Sequence, residues 1–257
     1  MIRLIVFPFL LALSFAATVA AQDFSLSDTL QTLESPFKAS PQTDSGGRIH
    51  DFQAEFRQSS HIASIDRSQR GEGSVRFKFL PNQSAADGIA MFRWEYRAPT
   101  VQEIVSDGRT LWFYLPENRQ VIESDISRLQ EQQGQNPVTF LSGLGNLSRD
   151  FSVEWAAPDR DAEGNPALLL RPRQASQYID RLEVVVSRRA VAEYSIKGRA
   201  GTLFPILSTA VYDPGGNRTE IYFLKVQVNQ APAAELFRFQ PPEGVEVVSP
   251  SEQGLGY

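Results

Sequence analysis

From residue 51 onward, large apolar side chains recur at every second position in one short stretch after another. Phe52, Ala54 and Phe56 share one parity, as do Val75, Phe77 and Phe79, and then Phe92, Trp94 and Tyr96. Between them stand residues such as Arg76, Lys78, Arg93 and Glu95. A period of two sends alternate side chains to opposite faces of a strand, so each stretch has one apolar and one polar face. Asp107-Gly108, between 100–106 and 110–115, is a hairpin signal, and Asp213-Pro214-Gly215-Gly216-Asn217 joins 206–212 to 219–228. Further strands are read at 119–125, 150–156, 166–171, 181–187 and 190–198. About ten or eleven short strands with turns between them describe a mainly β protein, folded as an incomplete, strongly curved antiparallel β-barrel.

Two segments follow a different period. Phe24, Leu26, Leu30, Leu33 and Phe37 fit one helical stripe over 24–37, which Pro36 ends. Pro137 suits the first turn of a second helix over 137–147, on which Phe140, Leu141 and Leu144 share a face with Leu147 beside it. Gly143 and Gly145 weaken that helix by roughly 1 kcal/mol each, so it is short and exists by docking onto an apolar surface. It is the predicted lid. The stretch 38–48 is a loop, Val245, Val247 and Val248 form an edge strand, and 249–257 is a flexible tail.

The N-terminus sets the compartment. Arg3, an apolar run from Leu4 to Ala17, and the small residues Val19-Ala20-Ala21 have the layout of an export signal over 1–21. Cleavage after Ala21 leaves one domain over 22–248. The chain has no cysteine, so its apolar core must hold the exported domain without disulfides. A net charge of -5 argues against nucleic acid as a partner.

Catalytic chemistry is not written in this chain. His50 and His61 are its two histidines, and neither sits in a metal-ligand or triad spacing. Nucleophile-elbow, zinc-protease and P-loop motifs do not occur. Gly71-Glu72-Gly73 precedes a strand instead of a helix and is read as a turn or bulge. Neither Asp107-Gly108 nor Asp213–Asn217 offers the oxygen series of a calcium loop. The reading is of a non-enzyme without cofactor or metal.

The sheet itself points to a binding role. The chain holds 17 Phe, 7 Tyr and 3 Trp, many at alternating strand positions, and two short helices are a small cover for them. Apolar surface left over in a soluble protein commonly forms a groove. Candidate lining residues for an apolar cavity are Phe77, Phe79, Phe92, Trp94, Tyr96, Leu111 and Phe113; the other reading is that they anchor an ordinary core. Lid candidates are Phe140, Leu141, Leu144 and Leu147. Covering one acyl chain of ~15 carbons would release roughly 12 kcal/mol. Three fully covered chains would exceed the ceiling of about 18–21 kcal/mol on non-covalent binding, so a carrier that releases its load covers it partly or opens a lid.

The run Phe92-Arg93-Trp94-Glu95-Tyr96-Arg97-Ala98-Pro99, followed by Gln102 to Tyr114, resembles the outer-membrane lipoprotein carrier protein family (LolA). Phe52–Gln58, Gly73–Phe77, Gln120-Val121, Pro137–Leu147, Leu169–Pro172 and Phe237–Val248 support it in the right order, over roughly 50–248. The resemblance implies a monomeric periplasmic chaperone with a helical lid over an apolar cavity. It implies three partners: outer-membrane-destined lipoproteins, an inner-membrane ABC lipoprotein-releasing complex, and an outer-membrane lipoprotein receptor. The family holds its lid with an arginine just before a proline, and the matching place here is Leu80, before Pro81. This chain must therefore close its lid differently. A carrier of another amphiphile, glycolipid or free lipid, and a sensor or scaffold domain that carries nothing are the alternatives. The segment 82–90 is also longer than usual.

Overall fold

The computed structural model describes residues 23–38, 47–79, 90–125, 140–141, 143–199, 201 and 203–249. The export signal over 1–21, most of the 38–48 loop, Leu80-Pro81, residues 82–89, Pro137 and the tail from 250 lie outside them.

Among these residues twelve strands form one sheet: β1 (Asp51–Ile62), β2 (Arg67–Lys78), β3 (Met91–Ala98), β4 (Gln102–Ser106), β5 (Thr110–Leu115), β6 (Gln120–Asp125), β7 (Phe151–Arg160), β8 (Pro166–Pro172), β9 (Arg181–Val186), β10 (Ile206–Tyr212), β11 (Arg218–Val228) and β12 (Glu246–Val248). Their order is β12-β6-β5-β4-β3-β2-β1-β11-β10-β9-β8-β7. Neighbours are antiparallel, including the long-range pair β1 and β11, except that β12 runs parallel to β6. The sheet is not closed into a true barrel, in keeping with the incomplete one expected: among the described residues β7 and β12 are its two edges and do not pair with each other. Alternation reports which face a side chain takes and says nothing about whether the outermost strands meet. β7 carries Pro158, which donates no backbone N–H and suits an edge.

The sheet is nevertheless deeply curved. Trp94 on β3 and Phe223 on β11 have β2 and β1 between them, yet their ring centroids are 6.5 Å apart. Three flat strand spacings of about 4.8 Å would hold their backbones roughly 14 Å apart, so the face they share is concave. Gly73 allows this bend. It sits opposite Phe56 and Tyr96, at a bulge in the β2–β3 pairing. A Cβ there would lie 2.0 Å from the Glu95 carbonyl oxygen and 2.8 Å from Phe56. With the space free, the Phe56 and Tyr96 rings meet over the glycine at 4.9 Å. The expected bulge at Gly71-Glu72-Gly73 is present.

Among the described residues, α1 (Leu26–Glu34), α2 (Leu147–Asp150) and α3 (Arg188–Lys197) accompany the sheet, besides the helical Phe140 and Leu141. The strand expected at 190–198 is α3 instead, and its caps explain why. Ser187 Oγ accepts the N–H of Ala190, and Gly198 takes a left-handed φ of 63° while its N–H bonds Tyr194 O at 2.7 Å. α1 ends as expected, in a 3-10 turn over Ser35–Phe37 that contains Pro36.

Candidate functional site: the covered concave wall

Strand register sorts the side chains. Phe52, Phe77 and Phe92 are cross-strand neighbours on one face, as are Ala54, Val75, Trp94, Ile104 and Phe113. The rings of Phe52, Phe77 and Phe92 form a stack with centroids 5.1 and 5.4 Å apart. Phe56 meets Trp94 at 4.6 Å, and the Tyr96 hydroxyl donates to Gln58 Oε1 at 2.8 Å. Toward the other edge the same face continues as Phe223, Ile221, Val184, Leu182, Leu168 and Leu170. One half of the wall is aromatic and the other aliphatic.

The predicted lining residues all take this concave face. Phe77, Phe92, Trp94, Leu111 and Phe113 are buried, while Phe79 and Tyr96 are partly buried. What buries the wall is the helical cover. Leu33 of α1, Phe37 of its terminal turn, Val191 of α3, and Phe140, Leu141, Leu144 and Leu147 belong to the same continuous apolar cluster as the wall. The lid candidates are all buried. Phe37 meets Phe79 at 5.1 Å and Phe204 at 6.3 Å, and Phe140 meets Phe151 at 6.4 Å. The wall is covered except where Phe79, Tyr96 and Ile104 remain partly exposed.

The cover segment is a broken helix. Phe140 and Leu141 are helical, Leu144–Asn146 is a 3-10 turn, and α2 follows. Among the described residues its backbone bonds stay local up to Asn146, such as Gly143 N to Phe140 O at 3.0 Å and Asn146 N to Gly143 O at 3.0 Å. None of these ties it to a strand. A side chain fastens it instead. Glu34, at the end of α1, is wholly buried. Its Oε1 accepts the backbone N–H of Ser148, and its Oε2 accepts Lys38 Nζ at 2.6 Å. Desolvation of a carboxylate is tolerated only with such partners, so breaking the Ser148 contact leaves Oε1 without a donor while Lys38 still faces Oε2. Sequence reading missed Glu34, Phe37, Phe204 and Phe223. Glu34 and Lys38 have i,i+4 spacing, but nothing local foretells that Ser148 comes to meet them.

The convex face is covered differently. Val105, Val121 and Phe237 are fully buried but lie outside the concave cluster. Asp51 accepts N–H bonds from Gln230 at 2.7 Å and Ala231 at 3.1 Å, starting a C-terminal arm across this face. Lys78 Nζ donates to Pro232 O at 3.0 Å, and Tyr114 meets Phe239 at 5.2 Å. The arm ends as β12, in register with β6. Beneath it Arg93 pairs with Glu95 at 2.9 Å and also with Glu103, while Arg76 reaches Glu95 at 2.7 Å. Burial pushes the Glu95 carboxyl up, but hydrogen bonds from Arg93 and Arg76 outweigh it and hold the group below its ordinary value. Arg93 is therefore a network residue on the face opposite Trp94.

Residues 48–240 match the family model described as outer membrane lipoprotein carrier protein LolA. The chain belongs to this family. An outer-membrane lipoprotein carrier protein from Edwardsiella ictaluri is 29% identical over 218 residues, covering 84% of this chain and 90% of its own. One from Hahella chejuensis is 27% identical over 201 residues, covering 78% of this chain and 82% of its own. A LolA superfamily protein of known structure from Nitrosomonas europaea is 14% identical with a TM-score of 0.38, covering 85% of this chain and 99% of its own. The LolA match spans all the predicted wall and cover residues. It begins after α1, so Glu34 falls outside it.

Proposed function

We propose that this protein is a periplasmic chaperone that binds the acyl chains of lipoproteins and carries them from the inner to the outer membrane. The observation that carries the reading is the pairing of a continuous apolar wall with a cover that, in its described residues up to Asn146, makes no backbone hydrogen bond to a strand. Family membership supports the same reading. In it, Phe77, Phe79, Phe92, Trp94, Tyr96, Leu111 and Phe113 line the acyl site, and Phe140, Leu141, Leu144 and Leu147 form the lid. An acyl chain replaces the lid's apolar contacts with its own. Each methylene brings about 0.8 kcal/mol, so cargo burial offsets undocking of the cover and breaking of the Glu34 contact.

The donor in this scheme is an inner-membrane ABC lipoprotein-releasing complex, and the acceptor is an outer-membrane lipoprotein receptor. ATP is spent at the donor, and the chain needs no cofactor of its own. The segment 1–21, read as an export signal, supports the periplasm as its site of action. The test uses the chain begun at Gln22, mixed with membranes that hold its cognate transporter and a diacylated lipoprotein. With ATP, the lipoprotein is expected in the supernatant bound to the chain. Lipoprotein that stays in the membrane fraction contradicts the proposal.

A further inference from the structure

Trp94 is 0% exposed, at the centre of the concave wall, and its indole Nε1–H has no hydrogen-bond partner among the described residues. Such a group is uncommon in a folded protein, because an N–H withdrawn from water without an acceptor is destabilising. The contrast with Trp112 on the convex face is direct: that indole is reachable by solvent and still donates to Glu123 Oε2 at 2.9 Å. The neighbours of Trp94 are rings: Phe56 at 4.6 Å, Tyr96 at 6.4 Å and Phe223 at 6.5 Å. A ring face accepts an N–H weakly and does not replace an oxygen. The cover holds a second donor of this kind, Asn146 Nδ2. Both unmatched groups are N–H donors, so what each lacks is an acceptor.

An acyl chain brings one. Its apolar tail begins at an ester or amide carbonyl, whose oxygen accepts hydrogen bonds but donates none. We infer that the Trp94 indole N–H is a specificity determinant that receives a carbonyl oxygen at the head of a bound acyl chain, so that the site prefers ester- or amide-linked lipids over hydrocarbon of equal length. The inference rests on the carrier reading and adds to it a polar reference point in an otherwise apolar wall. Such a point fixes how deep the chain enters, which apolar contact alone leaves free to slide.

The test compares two probes on the chain begun at Gln22: a dipalmitoyl ester lipopeptide and the matched dihexadecyl ether. The wild type is expected to bind the ester roughly five- to tenfold more tightly, the size of one hydrogen bond. Trp94→Phe keeps a ring and removes the donor, so its ratio of ester to ether affinity is expected to fall to about one, whatever its affinity for either probe. Equal binding of both probes by the wild type overturns the inference and leaves the carrier reading standing. An ester preference that persists in Trp94→Phe also overturns it, since another group then reads the carbonyl. Binding of neither probe overturns both readings. If the variant does not fold, the wild-type indole proton decides: its resonance is expected to move downfield with the ester and not with the ether, and an unmoved resonance overturns the inference.

Discussion

The two faces of this sheet carry covers held by different physics: the concave face is a continuous apolar cluster under helices, while the convex face carries the Arg76–Glu95–Arg93 network and is covered in part by the C-terminal arm. The C-terminal arm on the convex face begins with Asp51 bonding two backbone N–H groups and ends as β12, bonded strand to strand with β6. The cover on the concave face, up to Asn146, rests on side-chain contact and on the buried carboxylate of Glu34, and joins the sheet through Asp150, whose carbonyl accepts the Arg173 N–H at 2.9 Å. A ladder of backbone bonds is lost cooperatively with the sheet. A docked cover without such a ladder is expected to open locally, at lower cost than the sheet. Apolar burial held by side chains and apolar burial accompanied by a ladder of backbone bonds are thus distinct in kind.

Several substitutions break or sharpen this contrast. Phe237→Ala empties a fully buried site under the arm, and stability is expected to fall by about 3–5 kcal/mol in urea titration. Gly73→Ala places a Cβ against the Glu95 carbonyl and is expected to lower stability by on the order of 3 kcal/mol, with loss of the Phe56–Tyr96 contact. Leu144→Ala removes a comparable apolar contact from the cover. Because the cover can undock locally, its global loss is expected to be smaller, under about 2 kcal/mol, while amide exchange in 143–150 accelerates. A Leu144→Ala loss as large as that of Phe237→Ala, with no local change in exchange, would erase the distinction. Glu34→Ala is expected to weaken cover docking by about 1–3 kcal/mol, seen as faster exchange at the Ser148 amide with β12 unchanged.

Acidification is the mildest probe. Glu95 has its carboxyl held low in the folded state, so its contribution is present above the unfolded value near 4.5 and fades as pH falls below it through the lower folded value. Thermal stability is therefore expected to decline below about pH 4.5, and Glu95→Gln to flatten that decline. An equal decline in wild type and variant would show that the convex network is not responsible.

What the sequence revealed follows the same division. Phe92, Trp94 and Tyr96 alternate against Arg93 and Glu95, and that parity alone places them on one face. α3 was misread because Val191, Tyr194 and Ile196 favour extended chain locally, while its helical signal lay at its ends, in Ser187 and Gly198. That the barrel is incomplete was legible, and Pro158 marks β7 as an edge, but the order of twelve strands between the two edges is set by long-range pairing such as β1 with β11 that no local pattern records. The Glu34–Ser148 contact joins residues far apart in sequence, and the unmatched Trp94 N–H is a property of surroundings that only assembly creates.

The central claim is that the concave cover moves when the wall receives an acyl chain, while the convex arm stays. The chain has no native cysteine, so pairs of spin labels can be placed cleanly. A Cβ at Gly143 meets nothing nearer than the Phe140 carbonyl at 3.6 Å, and Arg57 and Val247 are exposed. Distances are measured for Gly143→Cys with Arg57→Cys, and for Val247→Cys with Arg57→Cys, with and without the dipalmitoyl lipopeptide. The account predicts that the first lengthens or broadens on loading and the second does not change. A bound lipopeptide with the first distance unmoved would contradict it.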